Sequence, residues 1–100
     1  MNTTIKNKLP QIIAVFKKYG VKEAYLFGSA TNDTFNTKSD VDFLYTFDEN
    51  LDYETYANNY FILVNELETI LKRQVDLVAK KTLKNPYLIK SIDHSKIRLL

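Results

Sequence analysis

Two aspartates, Asp40 and Asp42, stand at alternate positions at the start of an apolar segment with the pattern of a strand. Alternate residues of a strand point to the same face, so these carboxylates are expected to lie side by side. Two adjacent carboxylates repel each other unless a cation lies between them. Mg²⁺ is commonly bound by one or two carboxylates together with substrate phosphates. The pair therefore predicts a metal–phosphate site.

A second motif, Gly28-Ser29, ends another apolar segment, and ten residues separate it from Asp40. Glycine allows the backbone to approach an anion closely, and serine offers a hydroxyl and an N–H. We therefore expect this turn to contact the phosphates of a nucleotide.

A third carboxylate, Asp76, lies within the segment Gln-Val-Asp-Leu-Val at 74–78, whose other residues favour burial. A buried carboxylate is costly, so it usually has a partner or a metal. If this strand lies beside the strand of Asp42, three carboxylates converge, as two-metal phosphoryl or nucleotidyl transfer requires. An isolated Asp-x-Asp is more often a turn or a cap, and the combination of motifs favours the site.

A helix is predicted from Ile5 to Tyr19, because apolar residues recur at helical spacing. Pro10 is interpreted as the first turn of this helix, after a separate short turn over residues 4–8. Gly20 is a natural stop. The apolar face is formed by Leu9, Ile12, Ile13 and Phe16.

Strands and two further helices are predicted after this helix. The strands are Lys22–Gly28, Asp40–Phe47, Gln74–Ala79 and a terminal Ile97–Leu100, and the polar residues 31–39 form a loop. Asp52 caps a long helix from Tyr53 to Lys72, and a last helix runs from Pro86 to about His94. The long helix is expected to bury Tyr53, Tyr56, Ala57, Tyr60, Val64, Leu67 and Leu71. The fold class is α+β: one domain over residues 1–100, with a small mixed sheet and helices on one face.

Composition is that of a soluble globular domain: 100 residues, 45% hydrophobic and 26% charged. The absence of cysteine excludes disulfides and zinc–thiolate sites. With no apolar leader and no membrane-length apolar run, we expect a cytoplasmic protein without membrane contact. The net charge of +2 is too small to indicate nucleic-acid binding. Eight basic and two acidic residues lie between 72 and 100, which predicts a partner-facing side, a phosphate-attracting rim, or ordinary solvated surface.

These motifs together resemble the DNA polymerase β-like nucleotidyltransferases, and more narrowly the minimal nucleotidyltransferases of prokaryotes. The resemblance rests on Leu-Phe-Gly-Ser at 26–29, Ser-Asp-Val-Asp-Phe-Leu at 39–44 and Val-Asp-Leu-Val at 75–78. It extends over nearly the whole chain, including the Leu9-Pro10 helix, the Lys-Tyr-Gly turn at 18–20 and the closing segment from Pro86 to Ile97.

The resemblance implies a role for each motif residue. Asp40 and Asp42 bind two Mg²⁺ ions, and Asp76 holds one of them and helps to deprotonate the acceptor hydroxyl. Gly28 and Ser29 hold the β- and γ-phosphates of ATP. The resemblance further implies an antitoxin whose partner is an all-helical HEPN toxin, an RNase, and which transfers AMP to a toxin tyrosine. Homo- or hetero-oligomers are both compatible with it, and direct nucleic-acid binding is not expected.

The segment after Gly-Ser departs from the family pattern. Members usually continue with Arg-Ala-Arg-Gly, whereas this chain has Ala-Thr-Asn-Asp at 30–33. Arginine suits a triphosphate, so its loss is expected to weaken nucleotide binding. Lys38 is a candidate to compensate, although a lysine in such a loop is more often simply solvated. His94, the one histidine, is interpreted as an exposed or helix-end residue.

Two alternatives to protein adenylylation stay open from the sequence. The chain could neutralise a helical partner by occlusion, using Phe61 and Ile62, which fall off the apolar stripe of the long helix. Packing by the C-terminal segment explains these two residues equally well. Alternatively, the chain could be the catalytic half of a two-chain transferase acting on a small molecule.

Overall fold

The computed structural model describes residues 1–32, 35–36 and 38–100. Within these ranges the chain forms three α-helices, four strands and two short 3₁₀ turns. The helices are α1 (Thr3–Lys18), α2 (Tyr53–Leu71) and α3 (Pro86–Ser95); the strands are β1 (Val21–Phe27), β2 (Val41–Phe47), β3 (Val75–Ala79) and β4 (Ile97–Arg98). The 3₁₀ turns are Gly28–Thr31 and Lys80–Thr82. The predicted loop over 31–39 thus begins inside a 3₁₀ turn, and its residues 33, 34 and 37 lie outside the described ranges.

The strands form one mixed sheet in the order β3-β2-β1-β4. β1 is antiparallel to both β2 and β4, and β2 is parallel to β3. The parallel pair requires a crossover connection, which α2 provides. This architecture confirms the predicted α+β class with a small mixed sheet, and it places the start of β3 beside the start of β2.

α1 is one continuous helix, so the prediction of a separate turn before Pro10 is wrong. The Asn2 side chain caps the helix by accepting hydrogen bonds from the N–H groups of Thr4 and Ile5. Ile5 is buried in the core, as is Phe16 further along the same helix. Because Asn2 caps this first turn and the buried Ile5 anchors it, the turn stays helical although Pro10, on the exposed side, lies inside the helix.

α2 begins at Asp52 as predicted, with the carboxylate accepting from the Thr55 N–H at 2.7 Å. The predicted apolar stripe, however, is partly wrong. Tyr53 is 88% exposed, and Leu63, which the stripe omitted, is fully buried. The buried positions of α2 are Leu63, Leu67 and Leu71. These three leucines, spaced four residues apart, define the packed face of α2, and Tyr53 lies outside it.

The core lies between the sheet and the pair α1 and α2. β2 contributes Val41, Phe43 and Tyr45, whose side chains all point to this face, while Asp42 and Leu44 point to the opposite face. α3 lies against that opposite face, where its Ile92 shares a small cavity with Leu44. The expectation that helices cover one face therefore holds for α1 and α2, and α3 is the exception. None of the helices in the described ranges is long and apolar enough to span a bilayer.

Candidate nucleotide and metal site

The Gly-Ser turn lies directly against the Asp42 carboxylate. Phe27, the last residue of β1, is paired with Asp42 in the antiparallel register. Gly28 follows with a φ of +74°, a left-handed conformation that favours glycine. A Cβ at this position would lie 2.5 Å from Asp42 Oδ2. Glycine is therefore required here both by the turn and by the closeness of the carboxylate.

Asp42 and Asp76 occupy the same register position of the parallel strands β2 and β3. Their side chains therefore project to the same face, which is the face opposite to α1 and α2. The pKa of Asp42 is raised to about 6, first by burial and then by the negative charges of Asp76 and Asp40. The structure thus brings Asp42 and Asp76 together as predicted, and it places Asp40 close enough for its charge to act on Asp42.

The segment before Asp40 is held in place by Arg73. Its guanidinium donates hydrogen bonds to the carbonyl oxygens of Asn36 (2.7 Å) and Ser39 (3.1 Å). It also lies over the Phe35 ring, 4.3 Å from the ring centroid. Arg73 therefore fixes the approach to the carboxylate pair, a role that nothing in the sequence indicated.

The donor set suits a hard divalent cation. Burial raises the pKa of Asp42 most, and the negative charges of Asp76 and Asp40 raise it further; a cation between the carboxylates would lower it. In the part of the chain that the structure describes, no three acidic or histidine side chains lie close enough together to enclose a metal ion. The predicted convergence of Asp40, Asp42 and Asp76 around one metal ion is therefore not seen. The carboxylates would hold Mg²⁺ only as an open site, in which substrate phosphates supply further oxygen ligands.

The turn after Gly28 is tied down by its own hydrogen bonds. The Thr31 hydroxyl donates to the Gly28 carbonyl at 2.7 Å, and the Asn32 N–H donates to the Ser29 carbonyl at 3.1 Å. Ala30 is fully buried in the core, so a side chain at this position points away from the site. Lys38 is exposed, and its backbone N–H donates to the Asn36 side chain. The phosphate-binding role of Lys38 stays a prediction.

A cavity of about 560 Å³ opens between this turn and α3. The turn lines it with Gly28, Ser29 and Asn32. α3 lines it with Tyr87, Lys90, Ser91, His94 and Ser95. In the sequence, Lys90 is distinguished only as one of the eight basic residues between 72 and 100, and His94 only as an exposed or helix-end residue. The spacing of 87, 90, 91 and 94 does indicate one polar helix face, but contact with a turn some 60 residues earlier leaves no local signal.

A family model described as "Polymerase beta, Nucleotidyltransferase" matches residues 10–100. Two proteins of Methanocaldococcus jannaschii, MJ1379 and MJ0128, are similar in sequence, and both are provisionally named protein adenylyltransferases. MJ1379 is 42% identical over 80 residues, which cover 80% of this chain and 78% of the relative. MJ0128 is 41% identical over 81 residues, which cover 81% and 79%.

Solved structures share the fold. A provisionally named minimal nucleotidyltransferase superposes with a TM-score of 0.73 at 24% identity, covering 94% of this chain and 91% of that one. A toxin–antitoxin complex with AMP-PNP gives 0.71 at 23% identity, covering 92% and 72%. A complex of a tri-AMPylated Shewanella oneidensis HEPN toxin with an MNT antitoxin gives 0.65 at 21% identity, covering 95% and 71%.

The family model spans nine tenths of the chain, and the relatives at over 40% identity span most of it. The superposition with the solved structure shows independently that the fold is shared. This protein therefore belongs to the polymerase beta nucleotidyltransferase family.

Proposed function

We propose that the protein transfers AMP from Mg²⁺-bound ATP to a hydroxyl group of a partner protein. The observation that carries the proposal is the register of Asp42 and Asp76 on parallel strands, with the Gly28 turn packed on the Asp42 carboxylate. This arrangement sets acidic groups beside a turn whose backbone can approach phosphates. The provisional names of the Methanocaldococcus relatives support adenylyl transfer as the reaction.

The carboxylates divide into two roles. Asp40, Asp42 and Asp76 would hold the two Mg²⁺ ions, which when bound neutralise phosphate charge and make the acceptor hydroxyl more acidic. Asp76, on the exposed side of the pair, accepts the proton of the acceptor hydroxyl. The acceptor oxygen then forms a bond to the α-phosphorus of ATP. The bond from this phosphorus to the oxygen that bridges the α- and β-phosphates breaks, and pyrophosphate leaves.

The Gly-Ser turn positions the other end of ATP. Gly28 lets the backbone approach the β- and γ-phosphates, and Ser29 offers its hydroxyl and N–H to them. Because the turn follows β1 directly and β1 is paired with β2, the phosphates are held at a fixed distance from Asp42. Positioning of this kind supplies much of the rate in phosphoryl transfer.

The acceptor we propose is a tyrosine of a HEPN-type toxin, which AMP transfer would silence. The support comes from the solved complexes of the same fold, one of which contains an AMPylated HEPN toxin and an MNT antitoxin. An antitoxin role follows from that proposal.

A second candidate is neutralisation by occlusion, in which binding alone blocks the partner. Phe61 is 66% exposed and Ile62 is 42% exposed, and both lie on α2 away from its buried leucines. Exposed apolar side chains next to each other favour an interaction surface. Packing by the C-terminal segment does not cover them, because that segment pairs with β1 at the far edge of the sheet.

Transfer and occlusion are separated by one labelling experiment. The protein is incubated with α-labelled ATP, Mg²⁺ and the product of the neighbouring reading frame, and the same reaction is run with the variants Asp42→Asn and Asp76→Asn. We expect label on the partner with the unchanged protein and at least a ~100-fold loss with either variant. Asp48→Asn, at the other end of β2, is the matched control and should label normally.

Neutralisation of the partner is measured with the same variants. If Asp42→Asn neutralises the partner as well as the unchanged protein does, occlusion is the mechanism. Labelling that persists in the Asp40→Asn, Asp42→Asn double variant would contradict the carboxylate site itself.

A further inference from the structure

The cavity between the Gly-Ser turn and α3 has the chemistry of an anion site. Its volume of about 560 Å³ lies within the range of small-molecule sites. Among the residues that the structure describes, none that lines it carries a carboxylate. Apart from Gly28, each lining residue carries a hydroxyl, amide, ammonium or imidazole group. Such a lining provides hydrogen-bond donors and no negative charge, which favours an anionic ligand.

Two of the donors, Lys90 and His94, lie one helical turn apart on α3 and face this cavity together. Among the residues that the structure describes, neither takes part in an ion pair. Lys80 and Lys96, by contrast, form ion pairs with Glu23 and Asp93. The charge of Lys90 is therefore available to a ligand.

The cavity adjoins the carboxylate site at Gly28, which lines the cavity and lies close to Asp42. Ser95 connects the two parts, because its hydroxyl accepts a hydrogen bond from the Gly28 N–H at 3.4 Å and donates one to the Ser91 carbonyl at 3.4 Å. Gly28 in turn lies against Asp42. A ligand held by Ser29 and α3 thus lies next to the carboxylates on the side of the turn.

The turn itself brings no cation to this place. Ala30 is buried in the core, and Asn32 lines the cavity with a neutral amide. The polyphosphate of ATP carries several negative charges and needs cationic donors. Within the described residues, Lys90 is the ammonium group that lines the same cavity as Gly28 and Ser29.

We propose that Lys90 and His94 of α3, together with Ser29, bind the terminal phosphates of ATP and replace cations that the turn does not provide. The inference rests on the proposed function in taking the anion to be the polyphosphate of the substrate. Lys90 contributes a positive charge, and His94 contributes an N–H donor in either protonation state. α3 thereby becomes part of the nucleotide site rather than only a cover of the sheet.

The proposal is tested by calorimetric binding of inorganic triphosphate, ATP and adenosine, without any acceptor protein. Lys90→Gln and His94→Gln should each weaken triphosphate and ATP binding, Lys90→Gln by about tenfold. Lys90→Arg should retain binding, and adenosine affinity should not change in any variant. Lys17→Gln, an exposed lysine on α1 on the other side of the molecule, is the matched control and should bind all three ligands normally.

A second variant acts without removing a cation. Ser91→Asp places a carboxylate on the same exposed helix face, so it should also weaken triphosphate binding while thermal unfolding stays cooperative. Unchanged ATP affinity in Lys90→Gln, an equal loss of adenosine binding, or no triphosphate binding by the unchanged protein would each overturn the proposal. If triphosphate binding depends on Lys90 and yet no partner is labelled, the proposed acceptor is wrong and this site stands.

Discussion

Gly28 and Asp42 are in contact across the β1–β2 pair: a Cβ on Gly28 would lie 2.5 Å from the carboxylate oxygen Oδ2 of Asp42. The turn that would hold phosphate and the carboxylate that would hold metal are therefore one unit. A change at either residue is expected to disturb the other.

Gly28→Ala should damage both stability and transfer. The φ of +74° costs an alanine ~1–2 kcal/mol, and the added methyl group displaces the Asp42 carboxylate. We expect a loss of unfolding free energy of about that size, measured by urea denaturation, and a ~100-fold loss of AMP transfer.

Gly20→Ala is the matched control. Gly20 has a similar φ of +83°, but its added Cβ would meet a Leu51 methyl group at 3.1 Å and no carboxylate. It should lose a similar amount of stability and keep the rate of transfer per folded molecule. Equal loss of transfer in both variants would mean that Gly28 acts only through the backbone.

Asp42→Asn should raise thermal stability at neutral pH in the absence of divalent cations. The folded pKa of about 6 lies above the ordinary value of 3.8, so the unfolded chain loses this proton first as the pH rises. The Asp42 carboxyl therefore costs no stability below about pH 4, an increasing amount between about pH 4 and pH 6, and a constant amount above that. Melting temperatures measured from pH 4 to pH 8 should diverge from those of Asp42→Asn as the pH rises.

Asp52 provides the opposite trend. The pKa of Asp52 is lowered by the hydrogen bond from the Thr55 N–H, so its stabilising effect is present at neutral pH and is lost as the pH falls through the folded pKa. Asp52→Ala should melt lower than the unchanged protein at pH 7, with a difference that shrinks toward low pH. A difference for Asp42→Asn that grows toward low pH would contradict the assigned cause.

The sequence predicted the carboxylate pair because the relevant information is local. The alternation along β2 and the position of Asp76 in an apolar strand can each be recognised from a few consecutive residues. The parallel pairing of β2 with β3 then places Asp42 beside Asp76. The buried face of α2 is harder to predict from the sequence, because residues 60–64 are all apolar and are compatible with several helix faces. Packing of α2 on both α1 and the sheet buries Leu63 and leaves Tyr53 exposed.

Contacts across the molecule could not be predicted in the same way. Lys90 and His94 belong to the cavity because α3 lies on the face opposite to α1 and α2, a placement fixed by Ile92 packing near Leu44. The prediction of a separate turn before Pro10 is wrong for a similar reason. Local rules favour a break at proline, and the burial of Ile5 in the core keeps the preceding turn helical.

Asn32→Arg should strengthen ATP binding by about threefold to tenfold, because Asn32 lines the cavity and is exposed. Ala30→Arg should instead destabilise the fold by ~2–3 kcal/mol, since the side chain at position 30 points into the core. Calorimetric binding and urea denaturation measure the two effects. If Ala30→Arg folds normally and binds ATP more tightly, the assignment of position 30 to the core is wrong.

Phe61→Ser together with Ile62→Ser should weaken binding of the partner protein by at least about tenfold and leave stability within ~0.5 kcal/mol. The reason is that both side chains are exposed on α2 and contribute little to the core. Leu63→Ala, at the next position, should do the reverse, because a fully buried leucine costs ~2–5 kcal/mol when truncated. Partner affinity by biolayer interferometry and urea denaturation of each variant separate the two effects. Under the transfer mechanism, the double variant raises the KM for the partner and leaves kcat unchanged, whereas under occlusion it abolishes neutralisation outright.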